Sequence, residues 1–470
     1  MAKLLSIRIG KLVVPNLKNS SLDGIFANTF ATLTGGVFLT GFAIQLGMSD
    51  FMIGLLAAMP FIATLFQVPI SYFISKFDRR KQTAMWAALL ARSIWLPVLL
   101  VAVFPLSSRL DRNQVILSLL FISYACVSVS YVAWLSWMSD LVPDEIRGGF
   151  FGTRNMLCGA AGMFITVVFG KLIDKLNAQM LWGLPTGFVV TFISAVILGL
   201  ASLYYMKKIP EPSPAAQGIG RPSFRKLIAL PLREPNFRRF LTFALCWGFA
   251  VNVASPFFTL YFLRDLRFSY SFVALLATLS AFADLVGMRI WGRISDKVKN
   301  KAVIQFAGGV AIFLPLAWVT VRQGSLIIPI VLHVVGGGFW AGIHLCLNNL
   351  LLRITPKENK TFFFSIYHIA GGLGAATGPL LAGLCVQDLP PFDLRILGWK
   401  MAPLHIIFMT STFLRLLTLQ LLRLVREPDE APAEAVVRVI RSLRGLNVAT
   451  GFNYLLHPFL AVTKEKTERH

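Results

Sequence analysis

The sequence predicts an all-α polytopic membrane protein, with twelve transmembrane helices in two pseudo-symmetric six-helix halves. Three observations carry this. The chain of 470 residues is 56% hydrophobic, with 39 Phe and only 14% charged residues, more apolar side chain than one soluble core hides. Apolar runs of roughly 20 residues, enough to cross about 30 Å of hydrocarbon, recur along nearly its whole length. A charged stretch between two such runs, "LVPDEIRGGFFGTRNML", returns in the second half as "ITPKENKTFFFSIYH".

The predicted spans are 22–46, 51–74, 82–105, 114–138, 149–170 and 183–206, then 238–262, 268–291, 302–321, 326–352, 362–386 and 402–425. Strand-like alternation is absent and the runs are too long for barrel strands. Helices are then the form that satisfies its own backbone hydrogen bonds in lipid. The N-terminal segment 1–21 lacks a clear signal-peptide cleavage pattern and reads as a cytoplasmic amphipathic stretch. Asp23, at the first turn of span 1, reads as an interfacial group near a helix N-cap. Span 1 carries Asn28, Thr32 and Gly35 on one face. Span 3 carries Arg92, and span 4 carries Tyr131, Trp134 and Trp137, the last suited to an interfacial aromatic belt.

The halves are 22–206 and 238–426, joined by a Pro-rich, basic linker at 207–237 and followed by a tail at 427–470. Laid on one another, Pro143 falls on Pro356, Glu145 on Glu358, Arg147 on Lys360, Phe150 and Phe151 on Phe363 and Phe364, and Gly170 on Gly383. "GLLAAM" from Gly54 likewise matches "ALLATL" from Ala274, and Ser75-Lys76 matches Asp296-Lys297. Parallel six-helix repeats joined by a basic loop place a solute site near the membrane midplane, between halves that rock around it.

The second half supplies most candidate contacts. Span 7 offers Asn252, Ser255 and Thr259, with Pro256 to bend it, and span 8 holds Asp284. In span 10, His333, Gly337, Trp340, His344 and Asn348 share a helical face. A polar, aromatic face is ill suited to lipid, and it reads equally as a solute contact or as hydrogen bonding to a neighbouring helix. His344 titrates near neutral pH in water, which makes it a candidate proton-coupling group; Asp284, upstream of Arg289 and Arg293, reads as another such candidate or as a structural partner for a nearby arginine. His368 and His405 are weaker candidates. "GGLGAATGP", from Gly371, fits no nucleotide-loop pattern and reads as close helix packing at Gly374 and Gly378.

A net charge of +23 resolves into topology once Lys and Arg are sorted by membrane face. With a cytoplasmic N-terminus, 34 of the 45 lie on that side. Nine lie opposite: Arg109, Arg112, Lys171, Lys175, Arg264, Arg267, Arg322, Arg395 and Lys400. Both termini are therefore expected in the cytoplasm, against anionic inner-leaflet lipids, and no nucleic-acid partner is implied. After Arg426 the tail turns from acidic to amphipathic, reading as a helix on the inner membrane surface or as a disordered tail. All five cysteines fall inside spans without clustering, so neither disulfides nor a metal site is predicted. Motifs for a hydrolase or metalloprotease are absent, so no enzyme and no cofactor is expected.

With these features the chain resembles the major facilitator superfamily, over roughly 22–426. Gly292, Asp296, Lys297, Lys299 and Lys301 are similar to the family's loop between helices 2 and 3. The first half departs from it, with Ser71 and Ser75 where Gly and Asp are expected, although Lys76, Arg79, Arg80 and Lys81 remain. Asp140, Pro143, Arg147 and Gly148 resemble the signature between helices 4 and 5. The resemblance implies a monomeric permease of a bacterial inner membrane that moves a small solute by alternating access, proton-coupled as symport or antiport. A non-transporting sensor or scaffold is the alternative. It also implies that helices 1, 4, 7 and 10 line the cavity, making Asn28, Thr32, Trp134, Asn252, Ser255, His333, Trp340, His344 and Asn348 its candidate lining. Helices 3 and 12, with Arg92 and Arg415, would lie at the periphery, too far out to establish an anion site. Asp140, Arg147 and Arg154, with Asp296 and Lys297, read as a cytoplasmic gating latch or as static loop anchors.

Overall fold

The computed structural model describes residues 2–67, 70, 79–104, 111–211, 230–356, 360–387, 395–396, 399–429 and 431–442. Within them, eleven helices are long and apolar enough to cross a membrane, and Asp50–Thr64 is a shorter apolar helix where the second span is expected. Ser71, Ser75 and Lys76 lie outside the described residues, as do the middle of the linker and the end of the tail.

The first half comprises α1 (Ala2–Leu33), α2 (Gly36–Gln45), α3 (Asp50–Thr64), α4 (Arg80–Ser93), α5 (Trp95–Val103), α6 (Arg112–Leu141), α7 (Asp144–Leu176) and α8 (Thr186–Lys207). The N-terminal segment is thus continuous with span 1, and Asp23 sits well inside α1 rather than at its first turn. Gly36, at φ +50°, separates α1 from α2 in a conformation that favours glycine. Pro97, three residues into α5, has no N–H for the Ser93 carbonyl, and span 3 breaks there.

The second half comprises α9 (Pro235–Asn252), α10 (Ser255–Leu260), a π turn (Tyr261–Asp265), α11 (Tyr270–Val298), α12 (Asn300–Trp318), α13 (Ile327–Ile354), α14 (Lys360–Gln387) and α15 (Pro403–Leu421), then the tail helix α16 (Glu434–Ser442). Pro256 denies its N–H to Asn252 and divides span 7, as its sequence predicts. Small hairpins occupy matching loops of the two halves: Met180–Leu181 pairs with Leu184–Pro185, and Arg395–Ile396 pairs with Trp399–Lys400.

The halves meet through α3 on α14 and α7 on α11. Their tightest joints lie at the face opposite the termini. A Cβ on Gly383 would stand 2.9 Å from the Asp50 carbonyl, and one on Gly170 would stand 2.8 Å from Ala274. Arg264 bridges to Asp50 at 2.5 Å. Asp174 accepts hydrogen bonds from the Tyr270 and Ser271 N–H groups at 2.9 and 2.8 Å, capping the N-terminus of α11 from the other half. Toward the terminus side, Gly148, Gly149, Gly152 and Gly159 of α7 face open space among the described residues. Among the described residues, the joints between halves close one face, and these glycines on the other have no such neighbour.

Small residues set the packing inside the second half. At Gly374 a Cβ would collide with the Leu245 carbonyl of α9, and at Gly378 it would stand 2.8 Å from that of Phe249. The glycine run is therefore a seam for close helix approach. The tail helix α16 docks on α11 and α12, burying Val436, rather than lying free on the membrane surface.

Candidate functional site

Among the described residues, a cavity lies in each half. The second-half cavity, of about 460 Å³, is lined by Asn252, Ser255, His333, Trp340 and His344, gathering five of the nine lining residues read from the sequence. The break at Pro256 helps place Ser255 on this wall, while Asn252 donates to the Gly248 carbonyl of its own helix at 2.8 Å. His333 shares a hydrogen bond with the Pro329 carbonyl at 3.0 Å and lies edge-on to Trp318. Trp340 and His344 are ring neighbours at 5.4 Å.

The cavity face of α13 runs His333, Gly336, Trp340, His344. Gly337, expected on that face, instead meets Ser280 of α11, where a Cβ would have no room. Asn348 is exposed one turn beyond His344, outside the cavity lining. Asp284 of α11 is half-buried and within electrostatic reach of His344.

Arg415 is the residue sequence reasoning misplaced. It is buried, lines this cavity, donates to the Ala311 carbonyl at 3.0 Å and to that of Val251 at 3.3 Å, and sits 5.7 Å from the Trp340 ring. Its Nε has no partner. A nominally peripheral helix thus sends a cation inward, because the α9 break beside Val251 leaves a carbonyl free to receive it.

The first-half cavity, of about 260 Å³, lies among α1, α4 and α6. Trp134 lines it rather than a cavity shared with helices 7 and 10, and so do Asp23 and Arg92, neither of which the sequence placed there. Asn28 and Thr32 turn away from it. Asn28 donates to the Cys158 carbonyl at 2.8 Å, and a Cβ on Gly162 would stand 2.8 Å from Asn28 Nδ2 and 3.3 Å from Thr32 Oγ1, so both residues pack α1 on α7. Trp137 is fully buried and donates to the Pro210 carbonyl at 2.9 Å, so it is an anchor for the chain after α8 rather than a belt residue.

The charges at the open face also differ from their sequence reading. Asp140 pairs with Arg80 at the start of α4, not with Arg147 or Arg154. Arg147 donates to the carbonyls of Ser139 and Val142, closing the α6 to α7 turn. Arg154 turns inward, donates to the Ser20 carbonyl at 3.2 Å and stacks 4.3 Å over Trp134. Asp296 lines a shallow polar hollow with Asn300 and Arg353, and Lys297 is exposed.

A repeated clasp accompanies these charges. Glu211, after α8, accepts from the Lys81 N–H at 3.1 Å, and Lys81 Nζ donates back to the Lys207 carbonyl at 2.9 Å. Glu427, after α15, accepts from the Lys301 N–H at 2.7 Å and from Asn300 at 2.8 Å, and Lys301 Nζ donates to the Arg423 carbonyl at 3.3 Å. Arg353 adds an ion pair to Glu427 at 3.6 Å. The signal was present in the sequence as a Glu-Pro pair just past spans 6 and 12, Glu211-Pro212 and Glu427-Pro428.

His405 is structural. Its Nδ1 accepts from the Ala402 N–H at 3.1 Å, so Nε2 carries the proton and donates to Tyr261 at 3.0 Å, whose hydroxyl donates to the Val321 carbonyl at 3.1 Å.

The family model for the Major Facilitator Superfamily matches residues 24–379. The chain belongs to this superfamily. A curated relative, the "Multi-drug resistance efflux pump PmrA homolog" of Lactococcus lactis subsp. lactis (strain IL1403), is 24% identical over 274 residues, covering 56% of this chain and 62% of its own length. Less than two thirds of that relative is therefore matched. Among solved structures, a mutant of the nucleoside transporter NupG aligns with a TM-score of 0.68 at 11% identity, covering 88% of this chain and 99% of its own. A bacterial homologue of the iron transporter ferroportin, in an inward-facing state, gives 0.66 at 14% identity, over 88% and 99%. At these identities the likeness is one of fold. The superfamily member described here is an integral membrane protein with the all-α fold of these transporters.

Proposed function

We propose that this protein is a secondary transporter that moves a small solute across the membrane by alternating access. The observation that carries the reading is the one-sided closure. Asp50, Arg264, Asp174 and the start of α11 join the halves at one face, while toward the other end of α7 a Cβ on Gly148, Gly149, Gly152 or Gly159 would meet nothing within 4 Å among the described residues. Lys/Arg asymmetry supports a cytoplasmic position for the termini, and so for the open side, and we assign the protein to a bacterial inner membrane. Anionic lipids then face the basic loops, and the working unit is a monomer. Rocking that closes this side and parts the other would carry a solute through.

Coupling to protons is assigned to Asp284 and His344, a carboxylate and an imidazole on facing helices beside the second-half cavity. The curated relative's designation as an efflux pump supports export as the direction. Proteoliposomes with an imposed pH gradient test both parts of the reading. Uptake of a solute from a panel of nucleosides, peptides, organic acids and lipophilic drugs should exceed that of empty liposomes, and Asp284→Asn should abolish its acceleration by the gradient. A folded protein giving no solute counterflow across the panel would sink the transporter reading. Undiminished gradient dependence in both Asp284→Asn and His344→Gln would remove the pair as the coupling groups.

A further inference from the structure

We propose that the cavity between α1, α4 and α6 binds an organic monoanion with a flat apolar body, its acid group received by Arg92 and Arg154. The inference deepens the transporter reading by naming a substrate class, and it rests on that reading only for the step of transport. Asp23 and Arg92 are buried to 1% and 5% exposure, and both line the cavity. Among the described residues, Asp23 Oδ1 and Arg92 Nη1 have no hydrogen-bond partner. A structural ion pair would have closed on itself; here both groups keep unpaired atoms at a membrane depth where each is costly.

The backbone is shaped to hold these cations. The stem of Arg92 passes Gly199 of α8 so closely that a Cβ there would stand 3.0 Å from it. Arg154 crosses Gly24 of α1, where a Cβ would stand 2.5 Å from the guanidinium, and comes to rest over Trp134. Its charge is thereby delivered from the start of α7 to the cavity wall.

Charge selects the ligand. Two guanidiniums face one carboxylate, a balance of one positive charge among the charged lining residues, so a monoanion neutralises the site whereas a cation would add to the excess. Shape selects its body. Tyr131 and Trp134, both lining the cavity, stand nearly parallel, 24° apart with centroids at 6.5 Å, and make this part of its wall aromatic, with the Arg154 guanidinium over the Trp134 ring. The volume falls just under the roughly 300–1,000 Å³ of drug-sized sites, which favours a body of one or two rings.

Equilibrium binding of radiolabelled 2-naphthoate to the full chain in nanodiscs tests this, with 2-naphthol and 2-naphthylmethylamine as neutral and cationic competitors. Naphthoate should bind, and each competitor should be at least about tenfold weaker. Arg92→Gln should weaken naphthoate by about tenfold or more, while Arg92→Lys, which keeps the charge, should lose less. Asp23→Asn should bind naphthoate at least as well as the native chain. No binding to the native chain, equal binding of the three probes, weaker binding by Asp23→Asn, or a loss confined to Arg415→Gln would each overturn the site. Thermal unfolding of each variant separates misfolding from lost binding, and Arg92→Lys keeps the test decisive where Arg92→Gln does not fold. Charge-selective binding that follows Arg92, with no counterflow of naphthoate or of any solute in the panel above, would refute the transporter reading and keep the site. Counterflow indifferent to Arg92→Gln would do the reverse.

Discussion

Replacing Asp174 with Ala should open the closed face. In the native chain this carboxylate accepts two backbone hydrogen bonds, from Tyr270 and Ser271, at the N-terminus of a helix in the other half. Each bond to a charged acceptor contributes about 1.5–3 kcal/mol net. The carboxylate regains water when the halves part, so the lower end is apt, and two bonds give about 3 kcal/mol. That is roughly two decades in the equilibrium between closed and open forms of this face. Asp174→Asn keeps one acceptor oxygen and should fall between the two. Spin labels at Ala178 and Thr320, in a background freed of the five native cysteines, would report the separation of the halves by pulsed electron resonance. A long-distance population should grow in Asp174→Ala and, less, in Asp174→Asn. If both variants fold as stably as the parent and keep its distance distribution, the cap is not part of the closure and Arg264 with Asp50 must carry it alone.

Other consequences are smaller in scope. Glu427→Ala removes the acceptor shared by Asn300, Lys301 and Arg353 and should destabilise the second half by about 3–5 kcal/mol, read as a lowered thermal midpoint. Tyr261→Phe leaves His405 Nε2–H and the Val321 carbonyl without their common partner, costing about 1–3 kcal/mol in the same assay. Gly374→Ala should sharply reduce the yield of folded protein, because its Cβ has no space against α9, whereas Gly372→Ala, with its nearest neighbour at 3.6 Å, should fall within about 0.5 kcal/mol of the parent.

The architecture was legible because lipid leaves few options: an apolar run of sufficient length has to be a helix, and the repeat fixes how helices are shared between halves. The break at Pro256 and the glycine seam of α14 followed from local chemistry alone. Side-chain direction was harder to read. Asn28 and Thr32 look like cavity residues by type, yet the space left by Gly162 draws them into a helix joint. Arg154 looks like part of an interfacial latch, yet it reaches inward because Gly24 clears its path. In both cases a glycine on another helix decides the matter, and no pattern within the residue's own helix records it. Trp137 was misread for a related reason, since its partner, the Pro210 carbonyl, is 73 residues away. Asp23 was misplaced by a helix start, which hydropathy locates least well.

The distribution of polar contacts separates what is rigid from what moves. Each half ties the start of its third span to the chain leaving its sixth, by a glutamate accepting a lysine N–H and the lysine ammonium returning to a carbonyl. These clasps lie within a half, so they resist distortion of that half and are indifferent to its rotation against the other. Among the described residues, the polar ties seen between halves, Asp50 with Arg264 and Asp174 with α11, lie instead at one face, where rotation must break them. Of these ties a rigid-body rocking motion has to break a few hydrogen bonds and one ion pair at that face, a few kcal/mol that a coupled ion or bound solute can offset. Had the clasps joined the halves and the face contacts lain within them, the same residues would have built a static protein. Lys81→Met and Lys301→Met together should accordingly lower the thermal midpoint while leaving the Ala178 to Thr320 distance in place; a lengthened distance would show that the clasps govern the gate as well as the body.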